Sequence, residues 1–477
     1  MRKMTPIAVT LAAVALVACG SDDSDSDASE ATDAPAEADE TEEAATEEET
    51  EEAAAEEETD EAATDEAAAT EGTEEAAADG EDITLWLAGT DTPEAALTYL
   101  TDTYASTTGG ALSIEQIGWG DLIPSLTAAL PDSSSTPDVF ETGNTQTATF
   151  SAVGAYSDLS ANYDELGGDA LLPGFVEAGS VGDTVYSLPY YFGSRFAWYR
   201  QDLYEAAGVA EPTTLQEFTD VNATLKTSGS GAYIPGQDWR SGIAWIFANG
   251  GDLATYDGDE WTAALSSDES IAGMEMWQEL FTTASVAGPT DTDATAYQAI
   301  NDDFLPDVAV GTTLAPNWAY WSLGDISENE AGEAVATWNP DTFGAYALPG
   351  VDGGVAPVFA GGSNIGISAA SEKQDSALEL MRIIFSDEYQ TLLAENGLGP
   401  ANTDFGSVYV DAAADPEIAQ ISLDTAAAAK LTPAAPGWTS VEEQQLLEQY
   451  FQAVAEGGDV ASLAAEYDDK INAVING

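Results

Sequence analysis

The chain has 477 residues, with 87 acidic side chains against 10 basic ones, a formal net charge of −77, no histidine and one cysteine. The absence of histidine excludes an imidazole base, a Ser-His-Asp triad and a histidine-ligated zinc site; a single thiol excludes an intrachain disulfide and a thiolate metal cage. The charge makes binding to nucleic acid or to an anionic membrane surface unfavourable, while the apolar and aromatic content is ample for large cores; a globular protein with a neutral or cationic partner, no metal and no cofactor is expected.

The chain opens with Arg2 and Lys3 ahead of the apolar run PIAVTLAAVALVA. That run is too short for a comfortable membrane span and predicts an export signal. Leu16, Val17, Ala18 and Cys19, followed by Gly20 and a polar run, resemble the lipobox of bacterial lipoproteins, in which the cysteine is diacylated and becomes the new N-terminus. Residues 1–18 are therefore expected to be a lipoprotein signal peptide, and Cys19 the lipidation site. From Gly20 to Asp82 the chain carries 29 acidic residues and no basic one. Like charges at i,i+4 repel, so residues 19–82 are predicted to form a disordered acidic tether spanning roughly 45 Å as a flexible coil.

From Ile83 onward 58 acidic residues face 8 basic ones, a surplus that salt would screen. DITLWLAG reads as a strand ending in a glycine turn. TDTPEAALTYLTDTY reads as a helix, with Thr92 as N-cap, Pro93 at the first helical position and Leu97, Leu100 and Tyr104 on one face. ALSIEQIGW and DVFETG are the next strands, which makes a βαβ unit and predicts a mainly parallel sheet whose carboxyl-end loops carry the ligand. Capping boxes start further helices at Thr214 with Glu217 and at Ser440 with Glu443.

Four stretches occur in an order that resembles the extracellular solute-binding proteins of family 1, the lipid-anchored carbohydrate receptors of ABC importers. They are TPDVFETGNTQTATFSAVGAYSDLS, VYSLPYYFGSRFAWYRQDLYEAAGVAEPTTLQEF, FANGGDLATYDGDEW and ALPGVDGGVAPVFAGGSNIGISAASEKQDSALELMRIIFSDEYQ. The resemblance covers about Ile83 to Gly477. It implies an α/β, two-lobed periplasmic-binding-protein-like fold of type II with the ligand cleft between the lobes. Lobe one would take about 83–188 and 314–385, and lobe two about 189–313 and 386–477. It implies a monomer at the outer face of the cell membrane that closes on its ligand about the chain crossings and delivers it to permease subunits. The resemblance implies that this chain is not an enzyme and that the energy comes from the transporter's ATPase, in keeping with the lack of a phosphate loop of the G-x-x-x-x-G-K-[ST] type.

A sugar offers apolar C–H faces and a rim of hydroxyls, so its receptor needs aromatic rings and planar polar groups. Glu141, Asn144 and Gln146 follow a strand, Tyr190, Tyr191 and Arg195 lie at the first crossing, and Asp91 lies in the loop after the first strand. Trp239, Trp318 and Trp438 sit in turn-rich loops, Gly362, Ser363 and Asn364 belong to GGSN, and Trp119 stands beside Asp121. Trp277 and Trp86 read as core, Trp261 as a surface turn residue, and Trp245 and Trp321 as inward-facing on short helices. PDVFETGNTQ looks most like receptors for di- and oligosaccharides, including those of the chitobiose type. Two rivals stay open: a glycoside hydrolase, which needs two carboxyl groups roughly 5 to 9.5 Å apart, and a receptor for a polyamine or peptide.

Overall fold

Strand β1 (Ile83–Ala88) alternates between buried and half-buried residues, with Ile83, Leu85 and Leu87 turned into a core, as the period of two requires. In the computed structural model, which describes residues 80–477 apart from 303, 306, 330, 331 and 333, β1 pairs in parallel with β2 (Leu112–Ile117) on one side and β3 (Val139–Gly143) on the other. The expected export signal, the expected lipidation site Cys19 and the expected tether up to residue 79 lie outside the described residues. Between β1 and β2 runs α1 (Glu94–Thr108), which buries Ala96, Leu100 and Tyr104 and stops at Gly109 in the left-handed conformation. Thr92 does not cap this helix: Pro93 takes the N-cap position, and the Thr92 hydroxyl instead shares a 2.9 Å hydrogen bond with Tyr190 Oη.

The main sheet continues from β3 through a return strand, Ala360–Ile367, a 13-residue crossing strand, Leu188–Arg200, then Ala309–Pro316 and Ser230–Tyr233. The expected parallel pairing holds at the two flanks. Across the middle the pairs are antiparallel, because the return strand and the crossing strand run back between them. The crossing strand joins two cores. Its first part, Leu188 to Ser194, pairs with the return strand, and its second part, Arg195 to Arg200, pairs with Ala309–Pro316 and with Phe343–Tyr346.

The first core gathers Leu85, Leu87, Leu100, Val139 and Tyr190 with Leu380, Ile384, Tyr389 and Leu393. The second gathers Trp239, Trp245, Trp277 and Phe281 with Trp438, Tyr450, Phe451 and Ile471. This packing differs from the expected crossings. Leu314 and Tyr346 belong to the second core, held there by strand pairing, and Phe359 packs in the same core, so the chain rejoins the first core at the return strand and not near residue 314. Tyr389 and Leu393 remain in the first core, which moves the last crossing beyond residue 393.

The Thr214 cap forms as expected, its side chain accepting from the Glu217 N–H, while the Glu217 carboxylate accepts from Thr213. The second box does not form. The helix begins at Trp438 with Gly437 as its cap, which puts Ser440 and Glu443 inside it. Among the described residues, no helix is long and apolar enough to cross a membrane.

Candidate functional site

The turn after β1 sets the first part of the site. Gly89 has φ +57°, and a Cβ there would lie 2.9 Å from Trp119 Nε1 and 3.2 Å from Asp91 Oδ1, so glycine lets the loop fold against both. The Trp119 indole N–H donates to Asp91 Oδ2 at 2.9 Å, and the Tyr191 hydroxyl donates to the same oxygen at 2.9 Å. Trp119 opens α2 (Trp119–Ala129) and keeps 41% of its surface exposed. Asp121 is exposed in the same turn.

Beneath this pair, Glu141 of β3 is wholly buried, with Oε2 accepting from the Ala88 N–H at 2.9 Å. Burial pushes its carboxyl up to about 8, with nearby Asp91 adding to the rise and the Ser363, Ala88 and Tyr191 groups offsetting part of it. Glu141 Oε1 has no hydrogen-bond partner.

Helix α3 (Asn144–Ala152) starts where β3 stops, which brings Asn144 and Gln146 to the strand's carboxyl end. Gly143 lies under Gln146: a Cβ there would meet Gln146 Oε1 at 2.3 Å and the Trp119 ring at 3.4 Å. Gln146 Nε2 donates to Glu442 Oε2 at 2.6 Å, Thr145 Oγ1 donates to the same oxygen at 3.1 Å, and Thr439 Oγ1 donates to Thr149 Oγ1 at 2.8 Å. The helix Trp438–Glu443, anchored in the second core, therefore docks on a helix carried by the first. Desolvation raises the Glu442 carboxyl and Glu448 adds to the rise, opposed by Arg240 and by the two bonds from α3.

The polar line runs on. Arg240 stacks over the Trp239 ring at 4.7 Å and lies 3.7 Å from Asp293, which Arg195 grips at 3.1 Å. Arg195 also lies 4.0 Å from buried Asp238, whose carboxyl is raised by desolvation against the pull of Arg195. Tyr297, on the same short helix as Asp293, pairs with Trp318 at 5.0 Å, and Trp318 is 50% exposed. Asn317 Oδ1 lies 3.4 Å from where a Cβ on Gly193 would stand.

Asp91, Trp119, Glu141, Gln146 and Tyr191 thus come together as one group, and Arg195 and Trp318 extend it toward the second core. Five expected residues stand elsewhere in role. Tyr190 is buried in the first core, its hydroxyl held by Thr92 and Tyr389. Trp239 and Trp438 are not loop residues: each opens a helix with its ring buried in the second core, Trp239 donating to Glu448 Oε1 at 2.9 Å. Asn364 is buried and donates to the Phe175 carbonyl, and Gly362 sits where a Cβ would meet the Tyr191 carbonyl oxygen at 2.3 Å. Trp321, expected to face inward, is 65% exposed; Trp261, expected on a surface turn, sits in strand Trp261–Ala263, half-buried against the second core. Trp245 and Trp277 are core, and Trp86 packs half-buried on a neighbouring cluster. The residues missed from sequence are Arg240, Asp293, Asn317, Glu442 and Glu448. Glu442 and Glu448 carried no local signal, because only the last crossing brings Glu442 to α3 and Glu448 to Trp239.

A separate cavity of about 490 Å³, lined by Phe247, Tyr256, Trp261 and Lys430 among others, shares none of the residues on this line. The convergence of exposed rings with buried carboxyls and guanidiniums favours the line over the cavity as the functional site.

The family profile of bacterial extracellular solute-binding proteins matches residues 88–391. This chain belongs to that family. As a bacterial extracellular solute-binding protein it is a binding protein and not an enzyme, which removes the hydrolase alternative. The diacetylchitobiose binding protein DasA of Streptomyces coelicolor is 29% identical over 405 residues, covering 82% of this chain and 89% of DasA. The fold is that of the sugar-binding protein MalE of Xanthomonas citri, with a TM-score of 0.68 at 17% identity over 83% of this chain and 97% of that one. It is also that of the acarbose-binding GacH receptor of Streptomyces glaucescens, with a TM-score of 0.64 at 20% identity over 83% and 98%. The α/β, two-lobed arrangement with a cleft between the lobes is therefore the architecture of this solute-binding protein.

Proposed function

We propose that this solute-binding protein captures a di- or oligosaccharide at the outer face of the cell membrane and hands it to the permease subunits of an ABC importer. The observation that carries the reading is the pairing of half-exposed indole faces, Trp119 and Trp318, with planar polar groups on the same line: Asp91, Gln146, Arg240 and Glu442. Rings cover the C–H faces of a sugar, and carboxylate, amide and guanidinium groups bind its hydroxyls in pairs. Two separated rings suit more than one sugar unit. The relatives and structural neighbours that bind saccharides support the same class.

The site draws side chains from both cores, so a ligand that bridges Trp119 and Trp318 favours the conformation in which α3 and the helix Trp438–Glu443 are docked. Binding raises the melting temperature in a concentration-dependent way. The test is a thermal-shift series against neutral and charged saccharides, with spermidine and peptides as controls. A shift with sugars supports the reading, and a shift with peptides alone overturns it.

The membrane anchor rests on the lipobox-like Leu16 to Cys19. Replacing Cys19 by Ala is expected to move the protein from the membrane fraction to the medium, and its persistence in the membrane would remove the lipidation reading. The acidic run after Cys19 acts as a tether that gives the receptor reach, and the monomer is the working unit.

A further inference from the structure

Along the site line, leaving aside Glu141, whose buried carboxyl holds its proton, stand five carboxyls, Asp91, Asp238, Asp293, Glu442 and Glu448, against two guanidiniums, Arg195 and Arg240. Both guanidiniums are committed to Asp238 and Asp293. Among the described residues, no lysine or arginine nitrogen comes within 4.0 Å of Asp91, Glu141, Glu442 or Glu448. Two oxygens in this group, Glu442 Oε1 and Glu448 Oε2, are buried without a hydrogen-bond partner. Buried charge is costly unless it is paired, and a buried acceptor left empty costs its full desolvation. The general acidity of the chain does not account for them, since surface carboxylates are solvated and these are not.

We infer that the saccharide taken by this site carries a primary ammonium, as unacetylated amino sugars of the glucosamine type do. The inference rests on the saccharide reading above and narrows its substrate class. A neutral sugar brings hydroxyl donors to the empty oxygens but leaves the surplus of carboxyls uncompensated. An ammonium brings three N–H donors and the missing positive charge together. An N-acetyl group in the same place brings one N–H, no charge, and a carbonyl oxygen that faces other acceptors. Asp91 is held by neutral donors only, the Trp119 indole and the Tyr191 hydroxyl, so its charge is free to act on a ligand lying against the Trp119 ring. Glu442 is held by an amide and a hydroxyl from α3, so the ammonium draws together the two helices that supply the site.

The experiment is titration calorimetry on the full chain with the β-1,4-linked glucosamine disaccharide, its di-N-acetyl counterpart, cellobiose and spermidine, at low and high salt. The expected result is tighter binding of the glucosamine disaccharide than of the acetylated and neutral disaccharides, by roughly tenfold or more at low salt, with the margin shrinking as salt screens the charges. Asp91→Asn and Glu442→Gln, near-isosteric changes whose folding is checked by melting, each shrink that margin. Equal or tighter binding of the acetylated disaccharide or cellobiose overturns the ammonium inference and leaves the saccharide reading standing. Binding of spermidine alone, or of none of the three sugars, overturns both.

Discussion

Two tryptophans that open short helices after a glycine, Trp119 and Trp438, end in opposite environments: one is 41% exposed against Asp91, the other fully buried in the second core. Their substitutions should separate cleanly. Trp119→Ala and Trp318→Ala are expected to weaken ligand binding by roughly tenfold or more with little change in melting temperature. Trp438→Ala is expected to destabilise the fold by about 3 to 5 kcal/mol, read by denaturant unfolding. Glu141 supplies a pH signature. Its carboxyl is raised from an ordinary 4.5 to about 8, so the folded state holds a proton that the unfolded chain releases. Its contribution to stability is full below the lower value and is lost as pH rises through the window up to the higher one. Melting curves across that window should decline more steeply for the native chain than for Glu141→Gln. At this scale the sequence showed which residue types a sugar site needs but not which way they point. Glycine and proline around Trp239 and Trp438 read as open loops, whereas tertiary packing turned both rings inward.

Among the elements, the return strand shows why a Gly-Gly-Ser-Asn run can be structural. It is hydrogen-bonded on both edges, to β3 and to the crossing strand, so its backbone is engaged in the sheet. Gly362 has φ +129° and no room for a Cβ beside the Tyr191 carbonyl. Gly362→Ala is expected to cost about 2 kcal/mol or more and to displace Tyr191 from Asp91, lowering both the melting temperature and ligand affinity. The βαβ start was legible because β1 and β2 alternate, α1 puts Ala96, Leu100 and Tyr104 on one buried face, and β3 is a short run bounded by Pro137 and Gly143. The antiparallel middle of the sheet was not, since strands separated by more than a hundred residues pair there without any local mark. The false capping box at Ser440 had the right spacing but lay inside a helix whose start is set by Gly437 and the buried Trp438.

For the whole molecule, the surplus of 58 acidic over 8 basic residues from Ile83 onward predicts that added salt raises the melting temperature over the range in which it screens surface repulsion, a trend read directly from melts at increasing salt. The family resemblance made the two-lobed plan legible, while the crossing points shifted because strand pairing, not sequence order, decides which core a segment joins.

The interleaving of the two cores also orders events at birth. The first core needs Leu380 to Leu393 to close over β1, and the second needs Trp438 to Ile475 to close over Trp245 and Trp277. A chain that keeps the last pieces of its cores in its later part cannot finish folding while those residues are still emerging. The site shared by α3 and the helix Trp438–Glu443 is assembled only when the last of those segments has been made.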